Sequence, residues 1–118
     1  MTNKYPIFLA SEIEQTPIEQ SAFSVLPVPY EKTVSYSGGR AKGPLTILEA
    51  SEQLETWDGK SNPSALGIHT CDVVDCTVEP DQVIENIANA VTKILKAGSM
   101  PVVLGGEHTV TYGVIKGY

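Results

Sequence analysis

Positive charge is scarce in this sequence of 118 residues, which contains 8 Lys and Arg against 14 Asp and Glu and has a formal net charge of -6. Binding to a nucleic-acid backbone depends on clustered basic side chains, and the few basic residues here are scattered along the chain. The composition therefore argues against a nucleic-acid-binding role. It is compatible with a cationic substrate.

Cysteines and long apolar runs are also rare. Cys71 and Cys76 are the 2 cysteines, and their odd separation in an extended segment would point the side chains to opposite faces, which disfavours a disulfide or a shared metal ion. No basic start with an apolar stretch follows Met1, and no apolar run approaches the length of a membrane span. We therefore expect a cytoplasmic protein with free thiols and no membrane partner.

Hydrophobic residues make up 42% and charged residues 19% of the chain, as in a folded domain. The length suits a single domain over residues 1–118.

Apolar segments that predict strands alternate with segments of helical periodicity. The strands are predicted at Ala22–Pro29, where the prolines end the strand, within Leu66–Val78 and at Met100–Leu104. The helices are predicted at Pro44–Glu55 with Leu54 on the apolar face, at Pro80–Ala97 with Gly98 as the cap, and at Val110–Lys116. This alternation predicts an α/β domain with a mostly parallel sheet.

Two unusual loops, Tyr30–Gly43 and Gly105–Thr109, directly follow predicted strands. Ligands of open parallel sheets bind outside the carboxyl ends of the strands. We therefore expect the two loops to meet at one site.

The segment PVVLGGEHT is the strongest local motif. Its glycines permit a sharp turn after a buried strand, and the turn presents Glu107 and His108. An imidazole in this position could ligate a metal ion or transfer a proton. Taken alone, so short a motif favours the plainer interpretation that His108 caps or packs at the start of a helix. The rest of the chain has no spaced cluster of His and Asp to complete a metal site.

Two segments together resemble signatures of the ureohydrolase family, which includes arginase, agmatinase and formiminoglutamase. PVVLGGEHT is similar to the family's GG[DE]H[ST] motif. VPYEKTVSYSGGRAKGP resembles an upstream agmatinase segment with Pro-Tyr, Thr-x-Ser-Tyr and Gly-x-x-x-Gly-Pro in this order. The resemblance extends from about Phe23 to Gly113.

The resemblance implies a three-layer α/β/α arginase-like fold, of which residues 1–118 would form the N-terminal part. It implies a manganese-dependent enzyme, with two ions in the complete fold, that hydrolyses a guanidino compound. Agmatine would give putrescine and urea, a reaction of polyamine metabolism. We also expect a homo-oligomer. His108 matches a metal ligand of the family, and Glu107 matches the acidic position beside it. The long loop would place Tyr36, Ser37, Gly38, Gly39 and Arg40 at the substrate entrance, or it would serve only to reach the next helix.

The family's other ligand segments, Asp-Ala-His-x-Asp and Ser-x-Asp-x-Asp, do not occur before Tyr118. We therefore expect no hydrolase activity from this chain alone and no catalytic residue within it. His69 is predicted to be a packed or surface histidine. Asp72 and Asp75 are predicted to face solvent or to cap strand ends.

Two competing hypotheses remain. The chain could be a non-catalytic α/β module that acts by association. Independently of this, an unpaired edge at Val102–Leu104 predicts self-association or poor solubility. Alternatively, the Gly38–Gly43 loop could bind an anion at a helix start, although the Gly-Lys-Ser/Thr of a phosphate-binding loop does not follow.

Overall fold

Strands and helices alternate along the chain as the sequence predicts. The structure is a computed structural model that describes residues 5–31 and 42–118. Its regular elements are β1 (Phe23–Val28), α1 (Gly43–Ala50), β2 (Ile68–Thr70), α2 (Pro80–Lys96), β3 (Met100–Gly105) and α3 (Val110–Gly117). Short 3-10 turns lie at Ile18–Gln20, Ser51–Gln53 and Pro63–Leu66.

The strands form a parallel sheet in the order β2-β1-β3. Val25 in the central strand pairs with Thr70 on one side and with Val102 on the other. The chain thus moves from β1 to one neighbour and then crosses back to the opposite side. Such a reversal creates a switch point, here between the carboxyl ends of β1 and β3, where a crevice opens for ligands.

The sheet lies between two helical layers. On one face, α2 and α3 cover the main hydrophobic core, which is built around Leu26, Val28, Tyr30, Val74, Val83, Ile87, Val91, Ile94 and Val110. Helix α1 contacts β1 and β3, and its fully buried Leu48 lies outside that core. Since alternate strand residues face opposite sides, α1 covers the other face. The predicted three-layer α/β/α arrangement is confirmed.

Helix α2 forms as its periodicity predicts. Its buried side chains recur every three or four residues and face the sheet. At its end Gly98 adopts a φ of +81°, and the N–H groups of Gly98 and Ser99 donate to Leu95 and Ile94 at 3.0 and 3.1 Å. This is a Schellman cap, so the predicted role of Gly98 is confirmed. Among the helices of the described ranges, none has the length and apolar character that crossing a membrane requires.

Helix α1 is shorter than the sequence predicts, whereas β1 and β2 lie within their predicted segments. Strand β1 lies within the predicted segment Ala22–Pro29 and includes Pro27. The Pro27 carbonyl accepts from the N–H of Val74 at 3.0 Å, so the missing N–H faces the side where β2 has already ended. Helix α1 stops at Ala50, since the Ser51 hydroxyl donates to the carbonyl of Leu48 at 2.6 Å and accepts from the N–H of Leu9 at 2.9 Å. Leu54 consequently lies outside the helix and is 53% exposed. Within the β-prone segment Leu66–Val78, Ile68–Thr70 forms one short strand, in agreement with the prediction.

The two edges of the sheet differ. The N-terminal segment covers β2, because the side chain of Gln15 accepts from the N–H of Thr70 at 2.9 Å and donates to its carbonyl at 2.7 Å. At the other edge, no strand of the described residues pairs with the outer side of β3, where Met100 is 58% and Val102 40% exposed. The predicted unpaired edge is therefore present in the part of the chain that the structure describes.

Candidate functional site

The loops that follow β1 and β3 meet at Tyr30. The N–H of Tyr30 donates back to Val28 at 2.8 Å, and the carbonyl of Tyr30 accepts from the N–H of Glu107 at 3.1 Å. The expected meeting of the two loops is thus confirmed for these residues, at the switch point of the sheet. The predicted entrance residues Tyr36, Ser37, Gly38, Gly39 and Arg40 lie outside the described residues.

Gly106 allows this close approach. A Cβ atom at Gly106 would lie 2.1 Å from the carbonyl oxygen and 2.9 Å from the nitrogen of Tyr30, whereas at Gly105 the nearest atom would be Cγ1 of Val110 at 3.4 Å. The glycines with positive φ in the described residues are Gly59, Gly67 and Gly98. The double glycine lies at the predicted turn after β3, but neither glycine has a positive φ. Gly106 is required because a side chain there would overlap the backbone of Tyr30.

Glu107 is half-buried at the start of α3. Its carbonyl accepts from the N–H of Val110 at 3.1 Å, and its Oε1 accepts from the hydroxyl of Thr109 at 3.0 Å. Together with the bond to Tyr30, these contacts orient both the backbone and the carboxylate of Glu107.

His108 is exposed at the carboxyl end of β3. With Glu107 it lines a groove of about 420 Å³ between the open edge of β3 and α3. The residue that caps α3 is Thr109, and no side-chain capping hydrogen bond forms there. The plainer interpretation, in which His108 caps or packs at the helix start, is therefore not supported. An exposed imidazole beside a carboxylate suits a metal ligand.

The described residues alone do not bring together a complete metal site. Within 5–31 and 42–118, no group of three or more His, Cys, Asp or Glu side chains could hold a metal ion. First-row ions require several nitrogen or oxygen ligands. His108 therefore fits a metal site only in combination with further ligands.

A second groove, of about 520 Å³, is lined by Tyr30 and by residues around the start of α2. Its polar side chains include those of Glu31, Cys76, Thr77 and Glu79. Burial raises the pKa of Tyr30, and the nearby Glu107 and Cys76 raise it further. Sequence reasoning assigned no role to Tyr30, although the Pro-Tyr pair in the quoted upstream segment was the signal that could have found it.

The remaining candidate residues have structural partners. Nδ1 of His69 lies 2.7 Å from the carbonyl of Thr16. Asp75 accepts from the N–H and hydroxyl of Thr77 at 3.0 and 2.6 Å, and these hydrogen bonds lower the pKa of its carboxyl. Asp72 is exposed. These positions agree with the structural roles that the sequence predicts for them.

The sequence of this chain is similar to proteins of known family. A model described as the Arginase family matches residues 21–118. The chain belongs to the arginase family. It is 38% identical to the N(1)-aminopropylagmatine ureohydrolase of Synechocystis over 117 residues, which cover 92% of this chain and 38% of that protein. It is 31% identical to the agmatinase of Bacillus subtilis, with 93% of this chain and 38% of that protein covered.

The arginase-family fold is also evident from solved structures. The agmatine ureohydrolase of Thermoplasma volcanium superposes with a TM-score of 0.76 at 25% identity, covering 87% of this chain and 36% of that chain. The predicted arginase-like fold is thereby confirmed. The chain spans 38% of the length of both curated relatives named above.

Proposed function

We propose that this chain contributes the metal ligand His108 to a manganese-dependent ureohydrolase of polyamine metabolism. The observation that carries the proposal is the position of His108: it is exposed at the switch point of the sheet and lines a groove that Glu107 also lines. Membership of the arginase family gives this position its chemical meaning. We further propose a cytoplasmic homo-oligomer, with residues 1–118 as part of one domain.

The chemistry requires water activation next to a cationic carbon. Manganese, when bound, supplies the activation of water that attack on a guanidinium carbon requires. The unprotonated nitrogen of His108 would hold the ion, and the Glu107 carboxylate would offset positive charge near it. The Thr109 hydroxyl, which donates to that carboxylate at 3.0 Å, would keep Glu107 turned toward the site.

Agmatine and its aminopropyl derivative are the substrates we propose. Relatives of this chain are named for each of them, and the two differ in the length and charge of the tail beyond the guanidinium. The groove beside Tyr30 is lined by two acidic residues, Glu31 and Glu79. Carboxylates there would favour a cationic tail through charge complementarity.

A manganese titration of the isotope-labelled chain tests the ligand. The sequence has 2 histidines, so His69 serves as an internal reference for His108. Because Mn²⁺ is paramagnetic, we expect it to broaden the imidazole resonances of His108 at a lower concentration than those of His69. Equal broadening, or earlier broadening of His69, would exclude His108 as the preferred ligand.

The chain alone should release no urea. The described residues bring together no group of three or more potential ligand side chains, so we expect a lone His108 to hold manganese weakly. A urea-release assay with agmatine and added manganese measures this directly. Turnover by the 118-residue chain would refute the expectation.

Association without catalysis is the second candidate function. The observation that favours it is the open edge of β3, where Met100 and Val102 are 58% and 40% exposed. Unpaired strand edges with exposed apolar side chains promote pairing with another chain. Light scattering should then show an oligomer, while a monodisperse monomer would contradict this candidate.

A further inference from the structure

We propose that Tyr30 is the positioning residue for the turn that presents His108. The buried ring would fix the end of β1, and the carbonyl of the same residue would hold the turn after β3. The inference concerns the chain's own geometry, and its consequence for metal binding rests on the proposed function.

The backbone of Tyr30 contacts the turn at two consecutive residues. Its carbonyl accepts from the N–H of Glu107 at 3.1 Å, and Gly106 packs so closely that a Cβ atom would overlap that carbonyl at 2.1 Å. The residue immediately after these two is His108. A displacement of the Tyr30 backbone would therefore move the turn and the imidazole with it.

The ring of Tyr30 gives this backbone a fixed position. Tyr30 is 5% exposed and belongs to the main core together with Val74, Val83 and Val110. The cluster that contains the ring thus also includes residues of the segment after β2, of the first turn of α2 and of the start of α3. The Tyr30 N–H also donates to Val28 at 2.8 Å. The carbonyl that holds the turn is consequently anchored from several elements, whereas His108 is exposed and depends on the backbone of the turn for its position.

A side chain that binds a metal ion depends on surrounding contacts that hold its donor atom in position. Supporting contacts that orient a ligand typically change metal affinity 10- to 100-fold when they are removed. Replacement of the ring by a methyl group would leave space beneath the end of β1, and the turn would follow the backbone as it relaxes. The hydroxyl is not part of the anchoring contacts just described, so a phenylalanine should support the turn as well as the tyrosine does.

The experiment compares Tyr30→Ala, Tyr30→Phe and a matched control, Tyr112→Ala, in the isotope-labelled full chain. Tyr112 lies on α3 and is 64% exposed. The readouts are hydrogen exchange of the Glu107 amide, the imidazole chemical shifts of His108 without metal, and the manganese concentration that broadens those resonances.

Tyr30→Ala should accelerate exchange of the Glu107 amide, shift the His108 imidazole resonances and raise the required manganese concentration roughly 10-fold. Tyr30→Phe should restore all three readouts, and Tyr112→Ala should leave them unchanged. A merely structural loss at Tyr30 would affect amides throughout the core and would not single out Glu107 and His108.

Unchanged Glu107 exchange and His108 shifts in folded Tyr30→Ala would overturn the proposal, as would their loss in Tyr30→Phe. If Tyr30→Ala does not fold, Tyr30→Leu makes the same comparison with less lost volume. If the wild-type chain shows no selective manganese broadening but Glu107 exchange still depends on the ring, the proposed metal role fails and the positioning role stands.

Discussion

The contact between Gly106 and Tyr30 makes a sharp prediction, since the neighbouring Gly105 provides a matched control. In Gly106→Ala the added Cβ atom would overlap a backbone carbonyl at 2.1 Å, and no side-chain rotation can relieve the overlap; in Gly105→Ala the nearest atom belongs to a side chain at 3.4 Å. Overpacking typically costs about 1–3 kcal/mol. Loss of the Glu107 to Tyr30 hydrogen bond adds about 1 kcal/mol.

We therefore expect Gly106→Ala to reduce the free energy of unfolding by roughly 2–4 kcal/mol. Gly105→Ala should change it by less than about 1 kcal/mol, because a contact at that distance needs only a small adjustment. For a domain of this size the larger loss corresponds to a decrease in Tm on the order of 10 °C.

Thermal and urea unfolding followed by circular dichroism measure both variants under the same conditions. Hydrogen exchange of the Glu107 amide locates the change, because that N–H should lose its partner in Gly106→Ala alone. Equal stabilities of the two variants, with Glu107 still protected in both, would refute the role assigned to Gly106.

Two further predictions concern the thiols and the covered sheet edge. Burial raises the pKa of Cys71 and of Cys76 from 9.0 to about 11, and the neighbouring Asp72 and Asp75 respectively add to this increase. At pH 8 the thiolate fraction of the folded chain should therefore be about 100-fold lower than that of the urea-unfolded chain. The rate of reaction with iodoacetamide should be lower by the same factor. Because the thiol pKa values are higher in the folded than in the unfolded chain, protonated thiols stabilise the fold fully below about pH 9, and this stabilisation should be lost as the pH rises toward 11. A Tm that does not decrease between pH 9 and pH 11 would contradict this prediction. Gln15→Ala removes both hydrogen bonds to the backbone of Thr70 and should lower the free energy of unfolding, measured with urea, by about 1 kcal/mol. Gln53→Ala, at an exposed position, is the control. If Gln15→Ala lowers the free energy of unfolding no more than Gln53→Ala does, Gln15 is not needed to cover the β2 edge of the sheet.

Local patterns in the sequence were sufficient to predict much of the fold. The spacing of Ile87, Val91 and Ile94 reflects burial of one helix face, and the cap at Gly98 depends only on neighbouring residues. The position of His108 at a strand end also followed from local order, since a short apolar run preceded it.

Contacts between distant residues were not predictable in this way. Helix α1 ends early because Ser51 bonds to Leu9, and nothing near Leu54 in the sequence indicates that contact. The glycines of α3 are a similar case: a Cβ atom at Gly113 would lie 2.8 Å from Cβ of Ile87, and one at Gly117 would lie 2.7 Å from the carbonyl of Ala88. The Pro-Tyr pair could have drawn attention to Tyr30, but its contact with Glu107, far along the chain, could not be predicted from local sequence.

The most direct test of the metal role uses a chimera, in which this chain replaces the matching segment of the Synechocystis relative to which it is 38% identical. Urea release is then measured with agmatine and with N(1)-aminopropylagmatine, for the chimera and for its His108→Asn and His69→Asn variants. We predict that His108→Asn lowers kcat/KM by at least about 100-fold on the preferred substrate, as expected when a group that stabilises the transition state is lost, and that His69→Asn changes it little. Full activity in His108→Asn would contradict the assignment of His108 as a metal ligand.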